Sequence, residues 1–291
     1  MTPKEVAIKL EEAIQEATDA LNAVLEKTQN SIYRLAISNL KELDVDPDGY
    51  IRPSSANRKI IRGVNKAFDE GIEKGGYING LNQFTKTISV LDSINAGYFE
   101  GIGNAFNANS QSIRALQKQT IANIESLLLN NGLETQIKGP LSNLLFQNIS
   151  SGGSYSGMIE QVKVYIKGDG SDGKLMQYVK QITRDALNNY SRSYQSSVGN
   201  ALGLEFYQYV GGLMIESRDF CRDRVNGYFH YKEIESWANL EWKGKRSDTT
   251  ESSIFIYAGG INCNHQIMPV STALVPKEQI QRAKDLGFYQ D

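Results

Sequence analysis

Residues 205–215 have the sequence EFYQYVGGLMI, and at this stretch the pattern of the chain changes. The stretch is rich in aromatic and β-branched residues and contains a glycine pair, a composition that favours a strand or hairpin. The chain before it follows a helical periodicity, whereas residues 216–291 alternate short segments with turns. We therefore predict an α+β protein, in which a mainly helical body with long helices (residues 1–204) precedes a small α+β C-terminal domain (residues 205–291).

The first helix has the strongest signals in the body. Thr2 and Glu5 form the pattern of a capping box, and Pro3 suits the first helical position. Residues on one helix face then recur at steps of three and four, at Val6, Leu10, Ile14, Ala17, Leu21, Val24, Thr28, Ile32 and Leu35. The pattern continues to about Leu43, so this long helix needs a partner along its length, in this chain or in another.

The remaining elements follow from the same periodicity and from turn residues. Further helices are predicted over residues 55–74 and 174–202. Several helices are predicted in residues 77–131, of which 112–129 is the clearest, and two shorter ones in 133–167. The C-terminal segment is predicted to hold a short helix near Trp237, strands at 254–257 and 266–270, and a last helix that begins at Pro276.

Composition limits the classes of function. The chain has 31 basic and 33 acidic residues in 291, and this balance argues against a protein that coats nucleic acid. It has no run of eighteen apolar residues, and residues 1–10 (MTPKEVAIKL) lack the apolar core of a signal peptide. We expect no membrane segment and no small-molecule substrate. Two cysteines exclude a disulfide scaffold and fit a protein that folds in a reducing cytoplasm.

All residues with a thiol or imidazole group, which are common zinc ligands, lie in the predicted C-terminal domain. Both cysteines, Cys221 and Cys263, and both histidines, His230 and His265, lie in it. Four such groups suit tetrahedral zinc. The spacing of Cys263 and His265 is tighter than that of a usual zinc motif. We therefore expect no resident cofactor, with zinc at these four residues as the alternative.

Other interpretations of the two cysteines stay open. They can be small buried hydrophobic residues, as free cysteines commonly are. They can form a Cys221–Cys263 disulfide, which requires an oxidising stage. One of them can be a nucleophile activated by His230 or His265, although no local protease signature accompanies them.

A second candidate metal site lies between the first two helices. Asp44, Asp46 and Asp48 occupy positions 1, 3 and 5 of a calcium-loop pattern, and Gly49 follows at position 6. Position 12 is Ser55, where a bidentate glutamate is expected. The alternative interpretation is a solvated acidic turn between two helices.

The block from Glu216 to Val270 resembles the phage Mu F-like minor head protein family, also called head morphogenesis proteins. The matching segments are 217–221 (SRDFC), 226–229 (NGYF), 232–234 (KEI) with Trp237, 259–265 (GGINCNH) and 269–270 (PV). Within them the structural motif of the family corresponds to Arg218, Cys221, Gly227, Gly260, Cys263, His265 and Pro269. Many family members have a second cysteine soon after the first, where this chain has Arg224.

The resemblance implies a non-catalytic structural role in a virion. Members of the family associate with the portal inside the head and aid head assembly, DNA packaging or DNA ejection. We therefore expect a minor head protein that is assembled in the host cytoplasm and resides in the virion near the portal. Its expected partners are the portal protein, other head proteins and the packaged DNA. The alternative is a metal- or cysteine-dependent enzyme that uses the C-terminal cysteines and histidines.

Overall fold

The computed structural model describes residues 1–102, 110–129 and 131–290. Across them the protein is mainly helical, and a small antiparallel sheet lies near the C-terminus, which confirms the predicted fold class. Residues 103–109 and 130 belong to the stretch that was expected to be helical, and they lie outside the described residues. None of the described helices is both long and apolar enough to cross a membrane.

The elements are numbered in chain order. The helices are α1 Pro3–Leu40, α2 Ser55–Lys74, α3 Tyr77–Phe99, α4 Gln111–Leu128, α5 Asn131–Leu133, α6 Gly139–Ser151, α7 Tyr155–Lys167, α8 Lys174–Ala201, α9 Asp219–Arg222, α10 Tyr231–Ser236, α11 Ile254–Tyr257 and α12 Lys277–Asp285. The strands are β1 Phe206–Val210, β2 Tyr228–His230 and β3 Gln266–Val270. A π-helical turn occupies Glu134–Lys138, and 3₁₀ turns occupy Trp237–Asn239 and Thr272–Leu274.

Most predicted elements are confirmed, but the predicted strand at residues 254–257 is wrong. These residues form α11, because their backbone bonds are local: Ile254 N–H donates to Thr250 O at 3.0 Å, and Tyr257 N–H donates to Ser253 O at 2.8 Å. The sequence IFIY has high strand propensity, which is a weak preference that local bonding and burial can override. Both Ile254 and Phe255 are buried.

Helix α1 begins as predicted. Thr2 N–H donates to a Glu5 carboxylate oxygen at 2.7 Å, and Glu5 N–H donates to the Thr2 hydroxyl at 3.2 Å, which completes the capping box. The helix ends at Leu40, three residues before the predicted end. Its buried face is shifted slightly around the helix from the predicted one. The buried residues are Val6, Ala7, Leu10, Ile14, Thr18, Leu21, Leu25, Thr28, Gln29, Ile32, Ala36 and Leu40. The face of α1 is therefore covered within this chain.

The described residues group into two compact units. The first combines residues 1–16, 86–121 and 184–291, and the second combines residues 17–85 and 122–183. All of the predicted C-terminal domain lies in the first unit, together with helical segments from the body. The boundary near residue 205 stays a prediction, because such a grouping does not show which segment folds alone.

The second unit is helical and closely packed. A Cβ added to Gly71 on α2 would lie 2.6 Å from the Ile32 side chain, so only glycine allows this approach of two helices. Tyrosine hydroxyls bond to carbonyl groups in the same unit: Tyr77 Oη donates to Leu128 O at 2.9 Å, and Tyr165 Oη donates to Ile137 O at 2.8 Å.

The first unit contains the sheet, which has the strand order β2–β1–β3 in the described residues and is antiparallel throughout. Alternate residues of β1 face opposite sides, as a strand requires. Tyr207 and Tyr209 pack into an aromatic core with Phe220, whereas Phe206 packs against Val270 on the other face. The Tyr98 hydroxyl of α3 donates to Pro269 O at 2.7 Å and so ties α3 to β3.

Candidate functional site

Three predicted site residues converge on one face of the sheet. Cys221 lies on α9, Cys263 in the loop after α11, and His265 directly before β3. One ligand atom from each of the three lies within 4.8 Å of the others. All three side chains are buried, with 2%, 3% and 5% of their residue surface exposed. We call these residues the Cys–Cys–His group.

Tyr209 of β1 completes this environment, although no sequence motif marks it as a site residue. Its hydroxyl donates to Cys221 Sγ at 3.3 Å and lies 3.7 Å from Cys263 Sγ. Its ring stacks on the His265 imidazole, with centroids 5.1 Å apart and planes inclined by 27°. Because Tyr209 is on a central strand, it sets the position of the group relative to the sheet.

Gly259 allows the two sulfur atoms to approach the backbone. A Cβ at this position would lie 2.5 Å from Cys221 Sγ, 2.9 Å from Cys263 Sγ and 3.2 Å from the Tyr209 hydroxyl. No real Cβ contact is this short, so a side chain here would displace the group. The glycine pair 259–260 was therefore a usable signal in the sequence.

The thiols titrate as a coupled pair. A hydrogen bond from the Cys221 thiol to Cys263 Sγ, together with burial, raises the pKa of Cys221. The same hydrogen bond lowers the pKa of Cys263, and His265 and the Arg192 guanidinium lower it further. Of the two thiols, Cys263 is therefore the one that loses its proton more readily, and its sulfur lies 3.6 Å from His265 Nδ1.

Arg192 of α8 fixes the segment that carries Cys263 and His265. This arginine is only 2% exposed. Its guanidinium donates to the backbone carbonyl groups of Cys263, of His265 at 2.8 Å and of Ile256 at 2.9 Å. Arg192 was not among the predicted site residues, because the helical periodicity of α8 does not show that this arginine is buried.

The Cys–Cys–His group borders a cleft of about 380 Å³. Other residues that line the cleft are Met214, Glu216, Arg218, Lys243, Ile261 and Asn264. Arg218 Nη2 also donates to Ile261 O at 2.6 Å, which connects the two walls. The arrangement can bind a thiophilic metal, form a disulfide or present a thiol nucleophile to a ligand in the cleft.

His230 does not belong to this group, although the predicted zinc quartet included it. It pairs with Phe206 in the sheet register and therefore lies on the face opposite Tyr209. Its ring packs edge-on against Phe206 at 5.3 Å between centroids, and its Nδ1 accepts a bond from Lys232 N–H at 3.3 Å. Side chains alternate between the two faces of the sheet along β1, so His230 and the Cys–Cys–His group lie on opposite faces. The predicted zinc quartet is therefore not formed.

The three aspartates of the predicted calcium loop are not brought together either. Within the described residues they do not form a group whose carboxylate oxygens approach one another as metal ligands do. Asp46 Oδ1 accepts bonds from Asp48 N–H at 3.0 Å and Tyr50 N–H at 2.8 Å, and Asp44 pairs with Arg52 at 3.4 Å. The segment is an acidic turn in which Asp46 stabilises the backbone and Asp44 pairs with an arginine side chain.

The remaining motif residues hold the loops around the cleft. Gly227 O accepts a bond from Tyr209 N–H at 3.0 Å, and a Cβ on Gly227 would lie 2.6 Å from the Phe229 ring. Gly260 has φ +95° and packs against the Gly244 carbonyl. Pro269 lies on β3, an edge strand of the described sheet, where a missing N–H is tolerated.

Comparisons with known proteins do not assign the chain to a family. No protein-family model, no curated protein and no solved structure matches it.

Proposed function

We propose that this chain is a bacteriophage minor head protein, a non-catalytic virion component that associates with the portal and aids head assembly, DNA packaging or DNA ejection. The proposal rests first on the resemblance of residues 216–270 to the Mu F-like family. In this proposed role the protein lies inside the head near the portal, in contact with other head proteins and close to packaged DNA.

One structural observation supports the proposal best: the residues that carry the resemblance stabilise one continuous module. The Arg218 guanidinium donates to Ile261 O and so joins the first motif segment to the segment 259–265. Cys221 and Cys263 lie together behind this contact, and Gly227 closes the turn beside Tyr209. Motif residues that make tertiary contacts of this kind are expected in a structural module.

The test is binding to the portal protein encoded in the same genome. The purified full chain is mixed with portal oligomers and analysed by size-exclusion chromatography with light scattering, and the major capsid protein serves as the comparison. We expect the chain to elute with the portal and not with the capsid protein. A folded chain that elutes alone in both mixtures contradicts the proposal.

The cleft supports a second candidate, a cysteine- or metal-dependent enzyme. Cys263 borders the cleft, and its pKa is lowered by the Cys221 thiol, His265 and Arg192, as a nucleophile requires. Hydrolysis of p-nitrophenyl acetate and alkylation by iodoacetamide test it. Turnover that Cys263→Ser abolishes and Cys221→Ser retains favours the enzyme, whereas slow alkylation of the native thiols and no turnover favour the structural role.

A further inference from the structure

We propose that Cys221 Sγ, Cys263 Sγ and His265 Nδ1 together bind one zinc ion. This site goes beyond the proposed function, since a minor head protein does not require a metal. Failure of zinc binding leaves portal binding untouched, and the two proposals are therefore tested separately.

The spacing of the donor atoms fits a zinc ion. Tetrahedral zinc with Zn–S of about 2.3 Å and Zn–N of about 2.0–2.1 Å places a sulfur and a nitrogen ligand roughly 3.5 Å apart. Cys263 Sγ and His265 Nδ1 are 3.6 Å apart. The two sulfur atoms and one ring nitrogen of His265 all lie within 4.8 Å of one another, which is close to the spacing that ligands of one ion require.

The chemical type of the donor atoms also favours zinc. Two thiols and an imidazole are ligands that zinc prefers, whereas calcium and magnesium prefer oxygen. No carboxylate belongs to the group within the described part of the chain. The donor set therefore selects a thiophilic ion of the zinc type.

The contact that Nδ1 of His265 makes is weak for a buried group. The imidazole is buried, and its Nδ1 faces Cys263 Sγ at 3.6 Å. Sulfur is a weak hydrogen-bonding partner, and a buried polar ring with such a neighbour is costly unless another interaction fixes it. A zinc ion shared by Nδ1 and this sulfur replaces the weak contact with two coordinate bonds.

Neighbouring groups support a thiolate site. Arg192, which is buried and bonds to the carbonyl groups of Cys263 and His265, places a fixed positive charge near the sulfur atoms. The Tyr209 hydroxyl donates to Cys221 Sγ at 3.3 Å, a bond that stabilises a thiolate ligand and fixes its orientation. Three protein ligands leave the fourth tetrahedral position to a water molecule.

The experiment measures bound zinc in the full chain, purified under reducing conditions from zinc-supplemented medium. We expect about one zinc per wild-type chain by elemental analysis and less than about a fifth of that for Cys221→Ser, Cys263→Ser and His265→Ala. The control is His230→Gln, which alters a buried histidine outside the group and retains the metal. Circular dichroism establishes that each variant is folded.

A second measurement does not depend on the folding of the variants. Wild-type chain stripped by a chelator is titrated with Co²⁺, and we expect sulfur-to-cobalt charge transfer and the visible bands of a tetrahedral site, both reversed by zinc. Folded wild-type chain with less than about a tenth of an equivalent of zinc and no such bands overturns the proposal. A Cys221–Cys263 disulfide found by mass spectrometry in the freshly isolated chain overturns it as well.

Discussion

The Tyr209 hydroxyl donates a hydrogen bond to Cys221 Sγ at 3.3 Å, and this contact joins β1 to α9 within a buried aromatic core. The bond connects residues 12 positions apart, and the Cys263 sulfur lies 3.7 Å from the same hydroxyl. One side chain on the sheet thus contacts both segments that contribute thiols.

Removal of this hydroxyl is expected to lower stability. Tyr209→Phe keeps the stacked ring and deletes the hydrogen bond, so we expect a loss of about 1 kcal/mol in the free energy of unfolding. Urea unfolding followed by tryptophan fluorescence measures it. Tyr50→Phe, at a half-exposed position, is the control, and equal stability of the two variants would count against a role for the Tyr209 hydroxyl.

A methyl group at Gly259 is expected to disrupt the group. Gly259→Ala places a carbon 2.5 Å from Cys221 Sγ and 2.9 Å from Cys263 Sγ, and such overpacking costs about 1–3 kcal/mol. Gly212→Ala is a matched control, because the nearest atom to its added Cβ is 3.9 Å away. If both variants melt at the wild-type temperature, the packing described at Gly259 is incorrect.

Arg192→Lys tests the buried guanidinium. An ammonium group cannot reach three carbonyl oxygens in the fork geometry of arginine, so we expect a loss of about 2–4 kcal/mol and increased hydrogen exchange in residues 256–265. Arg184→Lys on the same helix alters an exposed bond to Gln15 and is the control. Comparable losses in the two variants would show that the buried contacts of Arg192 contribute little.

His230 is expected to make stability depend on pH. Burial lowers the pKa of His230, the nearby Glu205 carboxylate opposes this, and Lys232 adds to it. The unfolded chain therefore takes up a proton near the ordinary pKa of about 6.5, whereas the folded chain does so only at lower pH. The contribution of neutral His230 is present in full above about pH 6.5 and is lost as the pH falls from that value through the lower pKa of the folded chain.

The check compares wild type and His230→Gln by urea unfolding at about pH 7.5 and pH 5.5. Wild type is expected to lose more stability between the two values than the variant does. Identical slopes for the two proteins would mean that His230 is not held in its neutral form.

The sequence predicted elements better than it predicted the site. Helical spacing and caps located α2 and α8 almost to the residue, because these signals are local. The strand predicted at residues 254–257 was wrong. Strand propensity depends largely on the packing around a segment, and here local hydrogen bonds to Thr250 and Ser253 stabilise a helix instead.

The site depended on which residues the fold brings together. Cys221, Cys263 and His265 were among the candidates because of their chemistry, but only the sheet register separates His230 from them. Arg192 and Tyr209 carry no pattern that marks them, since burial of an arginine and the direction of a tyrosine follow from tertiary structure. Asp46 matched a calcium motif, but its carboxylate instead accepts hydrogen bonds from the backbone of the turn.

Thermal unfolding of Cys221→Ser and His265→Ala tests most directly whether the Cys–Cys–His group holds the shape of its module. The account predicts that each variant melts roughly 5 °C or more below wild type, while portal binding at low temperature is retained. Melting temperatures equal to that of wild type, with a loss confined to a chemical activity, would contradict it.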